Sequence, residues 1–451
     1  MSPADVWLRA CYAAPGFVLA FVGIPVYVLL PKFYTDVVGA NVALVGVLLV
    51  VLRLADGITD PAIGTLSDRT QSRWGRRRVW IVAGSLPLAA SLYLVLVPPE
   101  LGPTAAALWF GGSLAVLYLS WTAVAVPYEA LGLELSEDYD ARTALLGWRD
   151  SAVIVGTLAA AAAPVVIQRA AGWGGSGPDE RNTYWVLALI YAPLVPLACF
   201  VCARFVPERA PRPPGGRFRW RALAANRPFM ILLLSYTVAA IGSNLPAVLL
   251  PFYVKYVLGS EQAAGFLLLY FCVGAGLLPM WVWISQRTDK RPAWVGAMLV
   301  NTGAFAGVFF LGAGDTVGYG ILVALSGVGF GGTLVIPSAL QADVADYDEL
   351  RRGHRQEGQL LGAWSVARKF AAAAGVGVAL PLLDLAGYVP NAEVQSPRVL
   401  LTLRACYCLV PVGLNLIAIA IACYYPLTRE RHARVARLLA RRRARAEARG
   451  A

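Results

Sequence analysis

The residues best suited to chemistry in this 451-residue chain are three charged side chains within one otherwise apolar stretch. Arg53, Asp56 and Asp60 lie at spacings i, i+3 and i+7, which places them on one face of a helix. Two carboxylates a turn apart repel each other unless a cation lies between them or one of them is protonated. The spacing therefore predicts a binding site for Na+ or H+. Thr59 is a further candidate oxygen ligand, and Arg53 is expected to neutralise one acid when the cation is absent.

A structural salt bridge between Arg53 and Asp56 is the alternative explanation of these charges, and it needs no cation. That explanation leaves Asp60 without a role. Ionisable residues inside a bilayer are costly, so each of them is a functional candidate if the surrounding stretch crosses a membrane.

The composition indicates a membrane protein. Hydrophobic residues make up 58% of the chain and charged residues 15%, against about 45–50% and about 25% in soluble domains. The charges are clustered, and the runs between them, such as 79–98 and 228–254, are long enough to cross a bilayer as helices. The pattern predicts an all-α polytopic protein with twelve transmembrane helices, called spans one to twelve, at about 11–34, 40–66, 79–98, 104–134, 145–170, 183–206, 228–256, 261–285, 292–312, 317–346, 359–385 and 399–426.

Two stretches of the chain repeat one another at an offset of 220 residues. Residues 23–39 read GIPVYVLLPKFYTDVVG and residues 243–259 read SNLPAVLLPFYVKYVLG. A duplicated six-helix unit with a long cytoplasmic link is typical of the major facilitator fold, whose substrate site lies between the halves near the bilayer midplane. Span eight, the counterpart of span two, has no acid within 262–285, so only one copy holds the carboxylates.

The repeat sets the expected domain organisation. An N-terminal six-helix half is predicted at 1–206 and a C-terminal half at 228–426. The Pro-, Gly- and Arg-rich segment 207–227 is the expected cytoplasmic linker, and 427–451 is a basic cytoplasmic tail.

The basic residues predict the orientation in the membrane. Of 39 Lys and Arg residues, 29 lie before span one, after the even-numbered spans or in the tail, so both termini are expected in the cytoplasm. Basic loops beside an anionic leaflet explain the net charge of +12 without nucleic acid binding. The expected location is the plasma (inner) membrane. The tail is expected to be a surface helix with a thin apolar side of Val435, Leu438 and Leu439, touching the membrane surface or solvent.

Three further ionisable residues within spans are candidates. Lys369 in span eleven either reaches a carboxylate on span two or extends its ammonium to the cytoplasmic surface. Glu129 in span four and Arg149 in span five either face the substrate cavity or pair with each other.

Several motifs together resemble the glycoside–pentoside–hexuronide:cation symporter family of the major facilitator superfamily. They include FYTDVVG at 33–39, DGITDPAIGTLSDRT at 56–70, GRRR at 75–78, VPYEAL at 126–131 and GYVPN at 387–391. The resemblance implies that Asp56 and Asp60 are the cation-site acids, joined by Thr122, with Lys369 near them. It also implies a cytoplasmic gate that consists of Gly64, Asp68, Arg69, Gly75, Arg76, Arg77 and Arg78.

One departure from the family leaves the substrate open. Members that transport melibiose bind the sugar with an aspartate in span one and another in span four, whereas this chain has Ala20 and Ala125 there. Glu129, one turn from Ala125, is a candidate replacement. The family also transports lysophosphatidylcholine in animals, and such an amphiphile would need an apolar slot with Lys369, Arg149 or Glu129 at its head group.

The remaining motifs argue against an enzyme. The two histidines, His354 and His432, lie outside the spans, and no GxxxxGK[ST] phosphate loop occurs. A GxGxxG within span ten is expected to be a helix-packing face. We therefore expect a monomeric symporter that couples Na+ or H+ to a small polar solute such as a glycoside by alternating access, with no cofactor and no metal beyond Na+. A lysophospholipid transporter is the alternative, and a channel or non-transporting sensor is the rival class.

Overall fold

The computed structural model describes residues 3–135, 139–174, 177–208, 224–352, 357–392 and 394–450. Every regular element in these ranges is a helix. Three of the helical segments are π-helical, at Pro25–Leu29, Phe33–Val37 and Ala405–Leu409. The α-helices are α1 Pro3–Ile24, α2 Leu30–Lys32, α3 Val42–Arg69, α4 Arg78–Leu96, α5 Pro103–Glu134, α6 Tyr139–Ala171, α7 Gly177–Phe205, α8 Arg227–Tyr256, α9 Ala263–Gly276, α10 Leu278–Arg287, α11 Lys290–Val308, α12 Thr316–Arg352, α13 Glu357–Leu385, α14 Pro397–Arg404, α15 Val410–Cys423 and α16 Arg429–Gly450.

The long helices identify an integral membrane protein. Within the described residues, eleven helical stretches are long and apolar enough to cross a bilayer. The helix at predicted span nine, α11, is present but falls outside this set. Its polar Asn301 and Thr302 are buried by neighbouring helices, and Asn301 Nδ2 donates to Ser326 Oγ at 3.0 Å. The all-helical prediction is confirmed, and twelve remains the predicted number of spans.

The chain packs into two compact units. Unit 1 comprises Met1–Pro213, Ala247–Leu268 and Ala373–Leu403, and unit 2 comprises the remaining segments Pro214–Pro246, Leu269–Ala372 and Arg404–Ala451. The boundary after Pro213 falls in the expected linker, whereas the other boundaries cut through helices of the expected C-terminal half. The division into halves at 1–206 and 228–426 stays a prediction.

Helix packing in unit 1 positions α3, which carries the candidate acids. α1 packs on α6 and α7, α4 packs on α5 and α7, and α3 packs on α5. Small residues bring α3 close to the part of α13 in the same unit, since a Cβ on Gly46 would lie 3.0 Å from the Leu380 Cβ. The start of α3 is capped by Asn41, whose Oδ1 accepts a hydrogen bond from Leu44 N at 2.9 Å.

The two copies of the sequence repeat end in the same backbone geometry. Gly39 and Gly259 have φ angles of +81° and +68°, in the left-handed region that glycine adopts without strain. Just beyond them, Ala40 N donates to Tyr34 O at 2.8 Å and Ser260 N donates to Val254 O at 2.9 Å. The copies differ upstream. The first contains the two π-helical segments around α2, and the second runs as α8 to Tyr256.

Unit 2 has an apolar core lined by Trp281, Trp294 and Leu340. The GxGxxG glycines lie in α12 at a helix contact: a Cβ on Gly329 would lie 2.7 Å from Ala297 O, and one on Gly327 would lie 2.7 Å from Tyr270 O. The prediction of a packing face is therefore confirmed.

The tail forms the helix α16, as expected, but its apolar side packs on the protein. Val435 and Leu439 are buried, and α16 lies against α12. His432 Nε2 lies 3.1 Å from Asp346 Oδ2, which adds a polar contact to the apolar one. Leu438 is exposed, so one residue of the expected apolar side stays free to meet lipid or solvent.

Candidate cation and substrate site

The structure brings Asp56, Asp60 and Thr122 together. The Thr122 hydroxyl oxygen lies 3.0 Å from Asp56 Oδ1 and 3.0 Å from Asp60 Oδ1, and joins α5 to α3. Asp56 and Thr122 are buried and Asp60 is half-buried. A hydroxyl has one proton, so it donates to one carboxylate at a time. The second contact is favourable when the other carboxyl is protonated or when a cation lies among the three oxygens.

Arg53 is held beside this group. Its Nη1 donates to Asp56 Oδ2 at 3.2 Å, so the salt bridge that the sequence offered as an alternative does form. It engages one oxygen of Asp56, and the other oxygen faces Thr122. The guanidinium lies 3.8 Å from the ring centroid of Tyr27 and 4.2 Å from that of Tyr118, so Arg53 makes cation–π contacts with both rings. Neither tyrosine was among the predicted site residues, because a tyrosine in an apolar span carries no distinguishing pattern.

The positions of Thr59 and Lys369 do not test their predicted roles. The Thr59 hydroxyl donates to the main-chain oxygen of Asp56 at 3.2 Å, within its own helix. Lys369 is a half-buried residue of α13 and follows the exposed Arg368. The roles of Thr59 as an oxygen ligand and of Lys369 as a charge partner stay predictions.

Of the two alternatives for Arg149 and Glu129, the pair between them is not formed, because Arg149 pairs with Asp150. Arg149 Nε and Nη2 donate to Asp150 Oδ1 at 2.9 and 2.7 Å, and Glu129 is exposed. Asp150 is the next residue in the chain, and one of its oxygens accepts two hydrogen bonds from Arg149 without the need for a second helix. Beside Arg149, Tyr128 donates its hydroxyl proton to Tyr12 O at 2.7 Å, so two aromatic rings line this part of α1 and α5.

Ala20 and Ala125, which replace the sugar-binding acids of the melibiose transporters, differ in their surroundings. The Ala20 side chain touches α6, since a Cβ on Gly156 would lie 2.9 Å from the Ala20 Cβ. A longer side chain at position 20 would crowd this helix contact, which gives a packing reason for the missing acid. Ala125 is half-buried in α5, two residues before Pro127.

The residues assigned to a cytoplasmic gate form a charge cluster. Arg77 Nη2 donates to Asp68 Oδ1 at 2.8 Å, and Arg77 N donates to Glu208 Oε1 at 3.0 Å. Arg76 Nε lies 3.8 Å from the same Glu208 oxygen. Gly75 has a φ of +103°, and a Cβ there would collide with Glu208. The positive φ favours glycine at this position, and a side chain there would displace the Glu208 carboxylate.

Glu208 was missed in the sequence, although it is the only acid of the basic segment 207–227 and so had a pattern that marks it. The other assigned gate residues are more peripheral. Gly64 lies beside Val126, Arg69 is exposed, and Arg78 donates to Val206 O. The gating role of the cluster stays a prediction.

Comparison with known proteins agrees with this architecture. The chain is 28% identical over 418 residues to the glucuronide carrier protein homolog of Escherichia coli, covering 88% of this chain and 87% of that protein. It is 25% identical over 465 residues to the sodium-dependent lysophosphatidylcholine symporter 1-A of Danio rerio, covering 94% and 86%.

The fold matches that of a solved transporter. The crystal structure of a point mutant of the nucleoside transporter NupG superposes with a TM-score of 0.66 at 11% identity, over 93% of this chain and 99% of NupG. The model of the family described as MFS/sugar transport protein matches residues 11–429. Together with its all-helical membrane fold, this match shows that the chain is a transporter, not an enzyme, and that it belongs to the MFS/sugar transport family.

Proposed function

We propose that the chain is a symporter that couples Na+ or H+ to the transport of a glycoside or other small carbohydrate. The observation that carries the proposal is the Thr122 hydroxyl, which lies 3.0 Å from each of two carboxylates in a transmembrane helix. Such a group is stable when a proton or a monovalent cation compensates the like charges. The sugar-transport family and the glucuronide carrier relative support a carbohydrate as the solute.

The proposed coupling starts at the carboxylates. The cation binds Asp56, Asp60 and Thr122, with Thr59 as a minor ligand, and neutralises the acids. Arg53, in cation–π contact with Tyr27 and Tyr118, holds one oxygen of Asp56 and neutralises this acid when the cation is absent. Cation binding raises the affinity for the solute, and the solute raises the affinity for the cation by the same factor.

The proposed solute pathway uses the remaining charged residues. Arg149 and Glu129 are the expected polar contacts of the solute, and Lys369 is the expected charge partner of the cation site. Since Ala20 and Ala125 carry no acceptor, hydroxyl groups of a sugar are bound by fewer carboxylates than in melibiose transporters. The Asp68–Arg77–Glu208 cluster would lock the cytoplasmic end in one conformation. The protein is proposed to act as a monomer in the plasma membrane, with both termini in the cytoplasm.

Uptake into proteoliposomes tests the coupling. Purified full-length protein is reconstituted, and labelled glycosides and glucuronides are offered under an inward Na+ gradient, an inward H+ gradient or no gradient. We expect accumulation above the outside concentration with one of the two gradients. Uptake that stops at equilibrium under every gradient would indicate a channel, and no uptake of any solute would indicate a sensor.

A lysophospholipid is the second candidate solute, favoured by the two alanines and by the lysophosphatidylcholine symporter relative. Thermal unfolding of the purified protein against sugars, uronates and lysolipids, with and without Na+, separates the two. A carbohydrate is expected to raise the unfolding temperature, and more so with the coupling cation. A short-chain detergent with the same head group is the control for the lysolipids. Stabilisation by lysolipids alone would overturn the carbohydrate assignment.

A further inference from the structure

One buried aspartate away from the cation site gathers donors from three segments of unit 1. Asp36 is 3% exposed. Its Oδ1 accepts the hydroxyl proton of Tyr388, and it lies 3.1 Å from the Thr35 hydroxyl, which Asp36 shares with Lys32 O. Its Oδ2 accepts from the Tyr256 hydroxyl at 2.7 Å and from Lys255 Nζ at 3.2 Å. A carboxylate with this many donors is strongly held, because removing one partner from a buried charge is costly.

The loop that supplies Tyr388 is itself tied to the same place. Asn391 donates its side-chain N–H to Asp36 O and its main-chain N–H to the Tyr256 hydroxyl oxygen at 3.1 Å. Its Oδ1 accepts from Lys255 Nζ at 2.8 Å. Asn391 has a φ of +58°, which asparagine tolerates better than most residues. Residues of the GYVPN motif thus pack against the end of the first repeat copy through hydrogen bonds to Asp36.

Two features hold this loop and its Tyr388 hydroxyl ready to donate to Asp36. The Gln395 side chain pairs with the Val389 main chain, donating to Val389 O at 2.5 Å and accepting from Val389 N at 3.2 Å. Burial, and then the Asp36 carboxylate, raise the pKa of Tyr388 above its ordinary value, so its hydroxyl keeps the proton that it donates.

The sequence repeat explains why these residues meet. At the offset of 220, Asp36 corresponds to Tyr256 and Thr35 corresponds to Lys255. Equivalent positions of two repeats related by a pseudo-twofold axis approach each other where the repeats touch at that axis. The contact therefore joins the ends of spans one and seven at the membrane face opposite the arginine-rich loops, called here the Arg-poor face.

Asp36 also has a partner in its own helical segment. Lys32, buried in α2, places Nζ 3.8 Å from Asp36 Oδ2 and 3.7 Å from Glu180 Oε2. Lys32 precedes Asp36 by four residues, so this pair persists when other segments move away. Both distances exceed a hydrogen bond, and a small shift of the ammonium would shorten the contact with Asp36.

We propose that Asp36 is the latch of the gate at the Arg-poor face: the gate is closed while Lys255, Tyr256, Tyr388 and Asn391 hold Asp36, and on opening Lys32 takes over the carboxylate. The proposal rests on the alternating access of the proposed function. It assigns a gating role to a cluster separate from the cation site and from the cytoplasmic charge cluster.

Spin-label distances test the latch without any ligand. Labels are attached at Leu101→Cys and Val394→Cys, two exposed positions of the Arg-poor face, after the exposed Cys272 and Cys423 are replaced by serine. The full-length protein is measured in lipid nanodiscs by double electron–electron resonance. We expect Asp36→Asn to raise the ratio of long-distance to short-distance populations about tenfold or more. The matched control is Asp315→Asn, an exposed aspartate of the same face, which is expected to leave the ratio unchanged.

Lys32→Met is expected to change the ratio of long-distance to short-distance populations in the direction opposite to Asp36→Asn. Without Lys32, Asp36 has no local cation in the open state, so the short-distance population is expected to grow. Tyr256→Phe keeps the Asp36 carboxylate and removes one of its donors. This variant replaces Asp36→Asn in the distance measurement if Asp36→Asn does not fold. We expect it to shift the ratio toward long distances about threefold to tenfold.

Two results would overturn the proposal. One is an Asp36→Asn or Tyr256→Phe distribution equal to that of Asp315→Asn. The other is a shift toward long distances in Lys32→Met, which would make Lys32 part of the closed state only. Because no solute or cation gradient enters the measurement, failure of the latch is distinguishable from failure of uptake.

Discussion

Two aspartate clusters of unit 1 use the same side chain in opposite ways. At Asp56 and Asp60, two acids approach one hydroxyl group, that of Thr122. At Asp36, four side-chain donors approach one acid. The first arrangement brings two like charges to one hydroxyl, with Arg53 beside Asp56, and the second surrounds a single charge with donors. The difference shows that the role of a buried aspartate depends on the donors around it, more than on its depth.

The largest expected effect comes from the first cluster. Asp60→Asn removes one of the two charges that compensate a bound cation, at a cost of about 3 kcal/mol or more, so cation-stimulated uptake should fall about 100-fold or more. Uptake in proteoliposomes under the coupling gradient measures this. Thermal unfolding without ligand is the control for folding. Unchanged cation dependence would remove the assignment of the cation site.

Thr122 tests whether the shared hydroxyl matters in itself. Thr122→Ala removes a hydroxyl that lies 3.0 Å from both carboxylates, and the half-saturating cation concentration should rise about tenfold. Thr122→Ser keeps the hydroxyl and should restore most of the affinity. The cation concentration dependence of uptake measures both variants. Equal behaviour of the serine and alanine variants would show that the hydroxyl is not a ligand.

Tyr256 tests the opposite cluster through stability. Tyr256→Phe removes the 2.7 Å hydrogen bond to Asp36, which should lower the free energy of unfolding by about 1–2 kcal/mol, since the acceptor is a buried charge. Thermal unfolding in detergent measures the change. Tyr424→Phe, at an exposed tyrosine, is the matched control. A change no larger than that of the control would mean that Asp36 is not held as described.

The smallest effect is expected at Thr59. Its hydroxyl donates to a main-chain oxygen of its own helix, so Thr59→Val should change the half-saturating cation concentration by less than about threefold. The same uptake assay as for Thr122 measures it. A loss as large as that of Thr122→Ala would make Thr59 a principal ligand and would enlarge the first cluster.

Much of the fold and the centre of the site follow from the sequence. Uncharged runs indicate membrane helices because backbone groups in a bilayer need internal partners. The spacing of Asp56 and Asp60 places them on one face, and the family resemblance adds Thr122 from a helix about 60 residues away. These predictions depend on local periodicity or on motifs, both of which a single sequence shows.

Contacts that depend on tertiary packing could not be predicted from the sequence. Nothing in the sequence predicts that Tyr27 and Tyr118 both contact Arg53, because aromatic residues in apolar helices have no fixed spacing to a partner. The pairing of Arg149 with Asp150 in place of Glu129 depends on side-chain rotamers. The docking of α16 on α12 depends on which partner is available to Val435 and Leu439.

The contact between Asp36 and Tyr256 has a consequence for the symmetry of the chain. In a symmetric pair of identical six-helix proteins, position 36 would face its own copy across the twofold axis. Two aspartates there would repel each other, and two tyrosines would offer no charge to hold. A complementary pair needs different residues at equivalent positions, and this chain has them in its two diverged repeat copies. The Asp36–Tyr256 hydrogen bond is therefore a contact that two identical copies could not make across a twofold axis.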